Sequence, residues 1–193
     1  MNIFKHRIIL GLIALVFGIM SAPAFSAPQS YSLDKSRSLV KFEYSVNATA
    51  SSGVFPIENT NIVLDLQNLT RSSVGITLQI DKARAADIIA TGAMRSANVL
   101  NADQFPRATF HSKQLTPRKH GAVVVGDLTL RGITNEVILL ARLIREPNAP
   151  TDNSELFVHI TGDIQRDDFG ASGFPNLVGP TISLDILVRL VRD

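Results

Sequence analysis

Apolar and polar residues alternate along most of the chain, which predicts a protein built mainly from β-strands. Successive side chains of a strand point to opposite faces, so a half-buried strand shows this period of two. The last predicted strand carries an apolar stripe over nine positions, made of Ile182, Leu184, Ile186, Val188 and Leu190. Strands are predicted at residues 40–46, 53–57, 62–67, 74–80, 108–112, 122–130 (with a bulge at Gly126), 137–144, 156–164 and 181–192.

One stretch departs from this alternation. Residues 82–90 are rich in helix-forming residues, so a short helix is predicted within residues 81–93. The following loop, residues 91–106, contains Met94, Val99, Leu100 and Phe105. These side chains are too apolar for a loop that lies free in solvent, and we expect the loop to fold back over one end of the sheet.

So many antiparallel strands in one domain must avoid exposing unpaired strand edges. Closure into a barrel does this, and a two-sheet sandwich is the alternative. The continuous apolar stripe of residues 182–190 favours the barrel. An eight-stranded barrel has room inside for packed side chains or for one small ligand.

The alternation also predicts which side chains face the barrel interior and would contact a ligand. A register slip of one residue would expose the opposite set, including Lys41, Glu43 and Thr77. A competing interpretation is that the apolar stripes pack against each other as an ordinary core, and the pattern alone favours it. The predicted inward residues are Phe42, Tyr44, Ile76, Leu78, Phe110, Leu128, Ile160, Leu184 and Ile186.

A polar corner is predicted at residues 162–170, between the last two strands. Alternation would place Arg166 and Asp168 on one face, where both have structural roles, with Arg166 reaching a backbone carbonyl or a carboxylate. It would place Phe169 on the other face, closing against the interior, so Phe169 joins the candidate ligand contacts. Gly170 would permit the turn, because glycine adopts positive φ without strain.

The chain begins with a pattern typical of an export signal. A basic start precedes a run of 13 apolar residues at positions 8–20, followed by small residues. The run is short for a membrane span and suits a signal peptide. We predict a signal peptide of residues 1–24, with the cut as late as residue 26, and one domain of residues 25–193; an uncleaved anchor is the alternative.

Composition narrows the class of protein further. Loss of Lys5 and Arg7 with the signal peptide lowers the 19 basic residues to 17, equal to the 17 acidic residues. A neutral mature chain gives no indication of nucleic-acid binding. The chain has no Cys, which excludes a lipoprotein anchor and a thiol nucleophile and suits the bacterial periplasm better than an animal extracellular space.

Motifs of common enzyme classes and metal sites are absent from the sequence. There is no G-x-S-x-G elbow and no G-x-G-x-x-G phosphate loop. His111, His120 and His159 lack the spacing of metal ligands, so no metal is predicted. An enzyme that acts on a lipid or a small apolar substrate through Asp168, Arg166 or His111 remains an alternative to a binding protein.

Several short motifs, in order, resemble the YceI-like family of lipocalin-like, polyisoprenoid-binding proteins. Residues 31–42 resemble the opening of the family, and Met94-Arg95-Ser96 with residues 105–110 resembles its Leu-Arg-Ser … Tyr/Phe-Pro-x-x-x-Phe segment. Residues 126–134, GDLTLRGIT, are similar to its G-x-L-T-x-x-G-x-T, and residues 166–170, RDDFG, to its R-x-D-F-G.

The chain also departs from the family pattern. Where the family often has Arg-Asp-x-His-Leu, residues 90–94 read Ala-Thr-Gly-Ala-Met, and Val99-Leu100 replaces an aromatic pair. Both departures fall in the segment that is expected to border the barrel mouth. They leave open which head group a ligand carries.

The resemblance implies an extended eight-stranded antiparallel lipocalin-like barrel with one short helix and a capping loop. It implies a periplasmic protein with a long apolar pocket for a polyisoprenoid or other long apolar lipid, such as an isoprenoid quinone or its precursor. It implies no catalytic residues, no cofactor and no metal. A stress-linked structural module with a collapsed pocket remains an alternative, and a homodimer is left open.

Overall fold

Ten strands and one α-helix make up the part of the chain that the computed structural model describes, residues 27–147 and 150–193. The predicted signal peptide, with either cleavage site, lies outside the described residues. The strands are β1 (Gln29–Leu33), β2 (Leu39–Val46), β3 (Thr49–Phe55), β4 (Ile57–Leu64), β5 (Ser73–Gln79), β6 (Arg107–Arg118), β7 (Gly121–Leu130), β8 (Ile133–Ile144), β9 (Glu155–Gln165) and β10 (Thr181–Arg192), and the helix is α1 (Ile88–Arg95).

The sheet closes on itself because β1 pairs both with β4 and with β10. β10 is shared: its first half pairs with β2, and its last residues pair with β1. β1 and β2 therefore act as one bent strand, broken by the 3₁₀ turn Lys35–Arg37. β3 and β4, separated by Pro56, act as another. The ten strands thus form a closed eight-stranded antiparallel barrel, which confirms the predicted fold and excludes the sandwich.

The bulge predicted at Gly126 of β7 lies instead in the neighbouring strand, β6. The pairing of β6 with β7 shifts between Ser112 and Gln114, opposite Gly126 and Val125, so the extra residue belongs to β6. Gly126 is required for a different reason, since a Cβ at this position would lie 2.5 Å from Cζ of Phe110. The ring of Phe110 occupies the space that any larger side chain would need.

The helix is shorter than predicted, begins later, and continues to Arg95, so the first residues of the predicted loop 91–106 are helical. Asp87 caps it by accepting a hydrogen bond from the backbone N–H of Ala90 at 2.8 Å. The preceding residues are not helical, because Arg84 pairs with Val54 of β3 through two backbone hydrogen bonds of 2.8 and 3.0 Å. This tertiary pairing overrides the helix propensity of residues 82–86. None of the helices in the described parts of the chain is long and apolar enough to cross a membrane.

The loop after α1 folds back over the barrel, as predicted. The backbone N–H of Leu100 donates to the carbonyl of Met94 at 3.0 Å, and Leu100 and Ala102 are buried. Burial of these apolar side chains holds residues 96–106 against one end of the barrel.

The corner after β9 is a 3₁₀ turn, Arg166–Phe169, and strand alternation does not continue through it. Side chains three residues apart eclipse in a 3₁₀ turn, so Arg166 and Phe169 are both buried while Asp167 and Asp168 are exposed. The prediction that Arg166 and Phe169 lie on opposite faces was therefore wrong. Gly170 ends the turn at φ 66°, in the left-handed conformation that was predicted to need glycine.

Arg166 fastens the corner through backbone carbonyls. Its guanidinium donates to the carbonyls of Gly173 at 2.7 Å, Gly179 at 3.0 Å and Val178 at 3.1 Å, and also to that of Ala171. This confirms that Arg166 reaches backbone carbonyls. The side chain of Asp168 makes no hydrogen bond to any of the described residues, whereas its backbone carbonyl accepts one from Asn135 Nδ2 at 2.8 Å.

Candidate ligand-binding cavity

A cavity of about 1200 Å³ occupies the barrel, and every one of the ten strands contributes to its wall. Small-molecule pockets usually have volumes of roughly 300–1,000 Å³, so this cavity exceeds the range of a drug-sized ligand. The inward stripes therefore surround a space and do not pack together as an ordinary core. The interpretation that the pattern alone favoured was wrong on this point.

Nine of the ten candidate ligand contacts lie in the wall of the cavity. They are Phe42, Tyr44, Ile76, Leu78, Phe110, Leu128, Ile160, Leu184 and Ile186. The exception is Phe169, which is 1% exposed and packs within the apolar core outside the cavity wall. The 3₁₀ turn buries its ring in the apolar core beside the wall, so Phe169 is not one of the lining residues. Contact of the nine with a ligand stays a prediction.

Parts of the wall were not predicted from alternation. Ile89 and Ala93 of α1 line the cavity, as do Phe174 and Leu177 of the segment between the 3₁₀ corner and β10. The sequence offered one indication of Phe174 and Leu177 as wall residues. They are apolar side chains within a segment otherwise rich in Gly, Pro and Asn. Phe55 of β3 also lines the cavity and stacks on Phe42, with ring centroids 4.4 Å apart.

The wall is apolar along the length of the barrel, and its charged residues lie at the two ends. Asp87 lies at the end of the barrel that carries α1, which we call the helix end. Lys119, His120 and Arg145 lie at the opposite end, which is formed by the β6–β7 and β8–β9 connections. Arg166 also borders the cavity, but its guanidinium is engaged by backbone carbonyls. An apolar chain could therefore cross the barrel without displacing a charged group.

The two tyrosines of the chain have contrasting environments. The hydroxyl of Tyr44, in the cavity wall, is buried without a hydrogen-bond partner among the described residues. The hydroxyl of Tyr31, outside that wall, donates to the backbone carbonyl of Asn153 at 3.0 Å. Burial raises the pKa of Tyr31, and the nearby positive charge of Arg192 opposes this shift. The phenol of Tyr31 is therefore a neutral donor at physiological pH.

The residues considered for catalysis do not form a constellation. Arg166 is buried and bonded to carbonyls, Asp168 is exposed on its turn, and His111 is exposed on the outer face of β6. No hydrogen bond joins any two of them within residues 27–147 and 150–193. The same described residues contain no cluster of three or more His, Asp or Glu side chains placed to hold a metal ion.

A closed eight-stranded barrel around a large apolar cavity defines a binding-protein fold of the lipocalin-like class. Within that class the chain belongs to the YceI-like family, whose YceI-like domain model matches residues 31–190.

Relatives and solved structures agree with this assignment. The chain is 26% identical over 189 residues to a UPF0312 protein of Serratia proteamaculans, covering 96% of this chain and 97% of the relative. It is 29% identical over 139 residues to the UPF0312 protein plu2095 of Photorhabdus laumondii, covering 72% and 71%.

Two crystal structures share the fold. BcnA of Burkholderia cenocepacia superposes with a TM-score of 0.73 at 16% identity, covering 82% of this chain and 99% of BcnA. The YceI protein of Campylobacter jejuni gives a TM-score of 0.63 at 19% identity, covering 73% and 84%. At these identities the similarity establishes the fold alone.

Proposed function

We propose that this protein binds and carries a polyisoprenoid lipid, an isoprenoid quinone or its precursor, in the bacterial periplasm. The observation that carries the proposal is the uninterrupted apolar wall of a cavity of about 1200 Å³. Burial of apolar surface contributes roughly 0.8 kcal/mol per CH₂ group, so a tail of several isoprene units would bind tightly without a polar anchor. The proposed activity is binding, with no catalytic residue and no cofactor.

The shape of the wall supports a long, linear ligand. The inward residues of β10 run from Ile182 to Leu190, and all of them line the cavity. Eight residue steps along a strand span about 26 Å, which is roughly 20 Å along the axis of a barrel whose strands tilt by about 40°. A tunnel of this length with apolar walls distinguishes ligands by length and shape more than by chemical group. We therefore propose tail recognition as the main source of affinity.

The helix end of the cavity supports a head group without formal charge. Ala90, Ala93 and Met94 line the wall there, at the positions where the sequence departs from the polar family pattern. Two charged residues border the cavity at this end: Asp87, whose Oδ1 accepts the capping bond of α1, and Arg166, whose guanidinium is bonded to backbone carbonyls. An anionic head group would face the carboxylate of Asp87, while the guanidinium of Arg166 is already occupied by backbone carbonyls.

The periplasmic location rests on the N-terminal pattern. The apolar run at residues 8–20 and the small residues after it favour export and cleavage. N-terminal sequencing of the protein from the periplasmic fraction is expected to begin at Phe25 or Ala27. Finding Met1 on the soluble protein would contradict cleavage.

Native mass spectrometry of protein purified without detergent tests the binding function. We expect a co-purified mass of several hundred daltons, or uptake of an added prenyl quinone as a one-to-one complex. A clean unliganded mass that takes up no prenyl lipid would overturn the proposal and favour a structural module. Chemical conversion of the added lipid would instead indicate an enzyme.

A matched pair of variants tests the proposed orientation of the wall. Ile76 lines the cavity, whereas the next residue, Thr77, does not. Ile76→Trp should narrow the cavity and lower prenyl-lipid uptake at least tenfold, whereas Thr77→Trp should leave it within twofold. The chain has no Trp, so fluorescence of each new indole also reports its surroundings. Equal uptake by both variants would contradict binding inside the barrel.

A further inference from the structure

The helix end of the barrel is surrounded by a closed ring of three segments, which we call the collar. It consists of the β2–β3 turn, residues 46–49, the stretch of residues 81–106 that contains α1, and residues 171–179 before β10. All three segments contribute side chains to the cavity wall. The collar is therefore the protein surface that an entering ligand would meet at this end.

Backbone hydrogen bonds join the first pair of collar segments. The N–H of Asn47 donates to the carbonyl of Leu177 at 2.9 Å, and the N–H of Gly179 donates to the carbonyl of Ser45 at 3.0 Å. These bonds hold residues 171–179 against the end of β2.

Further hydrogen bonds complete the ring. The N–H of Gly173 donates to the carbonyl of Asn98 at 2.9 Å, which joins residues 171–179 to the loop after α1. At the other end of the helical stretch, the N–H of Val54 in β3 donates to the carbonyl of Arg84 at 2.8 Å. Because β3 pairs with β2, the ring closes.

The collar exposes an unusually apolar edge. Ile88 and Ile89, the first residues of α1, are 88% and 81% exposed, more than any other large apolar side chain in the described residues. Phe174 and Leu177, in the collar segment before β10, are each 43% exposed. Scattered exposed apolar residues are ordinary, but Ile89, Phe174 and Leu177 also line the apolar cavity, and Ile88 directly precedes Ile89.

The charges of the collar balance. Lys82, Arg84 and Arg95 are matched by Asp81, Asp87 and Asp103, and residues 46–49 and 171–179 carry no charge. A surface of this kind has no net attraction for an anionic or a cationic partner. Its apolar side chains are suited to the interface of a lipid bilayer, where apolar groups are buried next to acyl chains.

We propose that the collar docks on a zwitterionic lipid bilayer through Ile88 and its neighbours, so that a lipid passes between membrane and cavity without crossing water. This inference rests on the proposed function, because a lipid cargo that is insoluble in water needs a continuous apolar path. The bilayer is the partner whose interior matches both the exposed edge and the cavity wall.

A single substitution tests this docking without touching the cavity wall. Ile88 lies at the start of α1 and does not line the cavity. Ile88→Asp places a charge at the proposed bilayer contact, while a carboxylate at a helix N-terminus is favourable for folding. Ile138→Asp is the matched control, since Ile138 is 59% exposed on the barrel side wall. Ile88→Trp is the variant expected to strengthen docking, because Trp favours the membrane interface.

Vesicles of pure phosphatidylcholine, mixed with protein that begins at Phe25, provide the measurement. This start removes the apolar run at residues 8–20 and keeps all ten strands described above, since β1 begins at Gln29. We expect Ile88→Asp to lower vesicle binding at least tenfold, Ile88→Trp to raise it, and Ile138→Asp to change it less than twofold. Raising the salt concentration should leave wild-type binding nearly unchanged.

Lipid uptake from a dilute ethanolic dispersion separates this proposal from the proposed function. Uptake should be equal in wild-type and Ile88→Asp protein, because the cavity is intact. Uptake from dispersion without vesicle binding would overturn docking and leave the binding function standing, whereas no uptake at all would overturn the binding function. Vesicle binding that is equal in the two Asp variants, or a dimer of wild-type protein that Ile88→Asp dissociates, would also refute membrane docking.

Discussion

The guanidinium of Arg166 donates to the backbone carbonyl of Gly173 at 2.7 Å and thereby ties the 3₁₀ corner to the collar. Three more carbonyls, those of Ala171, Val178 and Gly179, accept from the same side chain. One buried cation therefore shapes the whole connection from β9 to β10.

Loss of this side chain should destabilise the fold. Arg166→Ala leaves four carbonyls without their donor, and an unsatisfied buried group costs about 1–3 kcal/mol. We expect the free energy of unfolding, measured in urea, to fall by about 3 kcal/mol. Asp168→Ala is the control, because its exposed side chain makes no hydrogen bond in the described structure, and it should change stability by less than about 0.5 kcal/mol. Equal losses would show that the carboxylate has a structural role after all.

The two tyrosines should respond in opposite ways to removal of the hydroxyl. Tyr31→Phe takes the donor from the carbonyl of Asn153 and should destabilise by about 1 kcal/mol. Tyr44→Phe removes a buried hydroxyl that has no hydrogen-bond partner in the described part of the chain, so stability should be unchanged or higher. Thermal unfolding followed by circular dichroism compares the two variants. A clear loss in Tyr44→Phe would mean that its hydroxyl has a partner, such as a bound water or lipid.

Two glycines provide a matched test of packing. A Cβ on Gly126 would lie 2.5 Å from Phe110 Cζ and 2.6 Å from the carbonyl oxygen of His111, whereas a Cβ on Gly92 would meet nothing within 4 Å. Gly126→Ala should therefore destabilise by about 1–3 kcal/mol through overpacking. Gly92→Ala, within α1, should stabilise by up to about 1 kcal/mol, because alanine favours helix more than glycine does. Urea unfolding of both variants checks the pair, and a destabilised Gly92→Ala protein would contradict an open helix face.

Stability should depend on pH through Asp34, which joins the start of the barrel to β10. Hydrogen bonds from Ser36, followed by the bond from Arg189, lower the pKa of Asp34 below its usual value. Ionised Asp34 thus stabilises the fold fully above the ordinary aspartate pKa, and this contribution disappears as the pH falls through the lowered value.

Asp34→Asn should consequently have a lower Tm than the wild type at neutral pH, and the gap should close in acid. Asp103→Asn is the control, since Asp103 is an exposed residue of the capping loop, and its Tm should follow the wild type at every pH. A gap between wild type and Asp34→Asn that widens in acid would contradict the lowered pKa.

Local periodicity was sufficient to predict the strands and the direction of many side chains. The bounds of β10, residues 181–192, agree with the structure, and its predicted stripe faces the cavity. The need for glycine at position 170 was also predictable. These features depend on the pleat of a single strand or on the φ angle of a single residue, which nearby sequence specifies.

Only the tertiary structure decided the features that depend on distant pairings. Barrel closure requires β1 to meet β10, and the late start of α1 follows from the pairing of Arg84 with Val54. The side to which Phe169 points depends on a 3₁₀ turn that Arg166 fastens to carbonyls up to 13 residues away. Alternation cannot predict such contacts, because they join residues far apart in the chain. The sequence also could not decide whether the barrel interior is open. An inward apolar stripe has the same pattern whether it faces a cavity or another side chain.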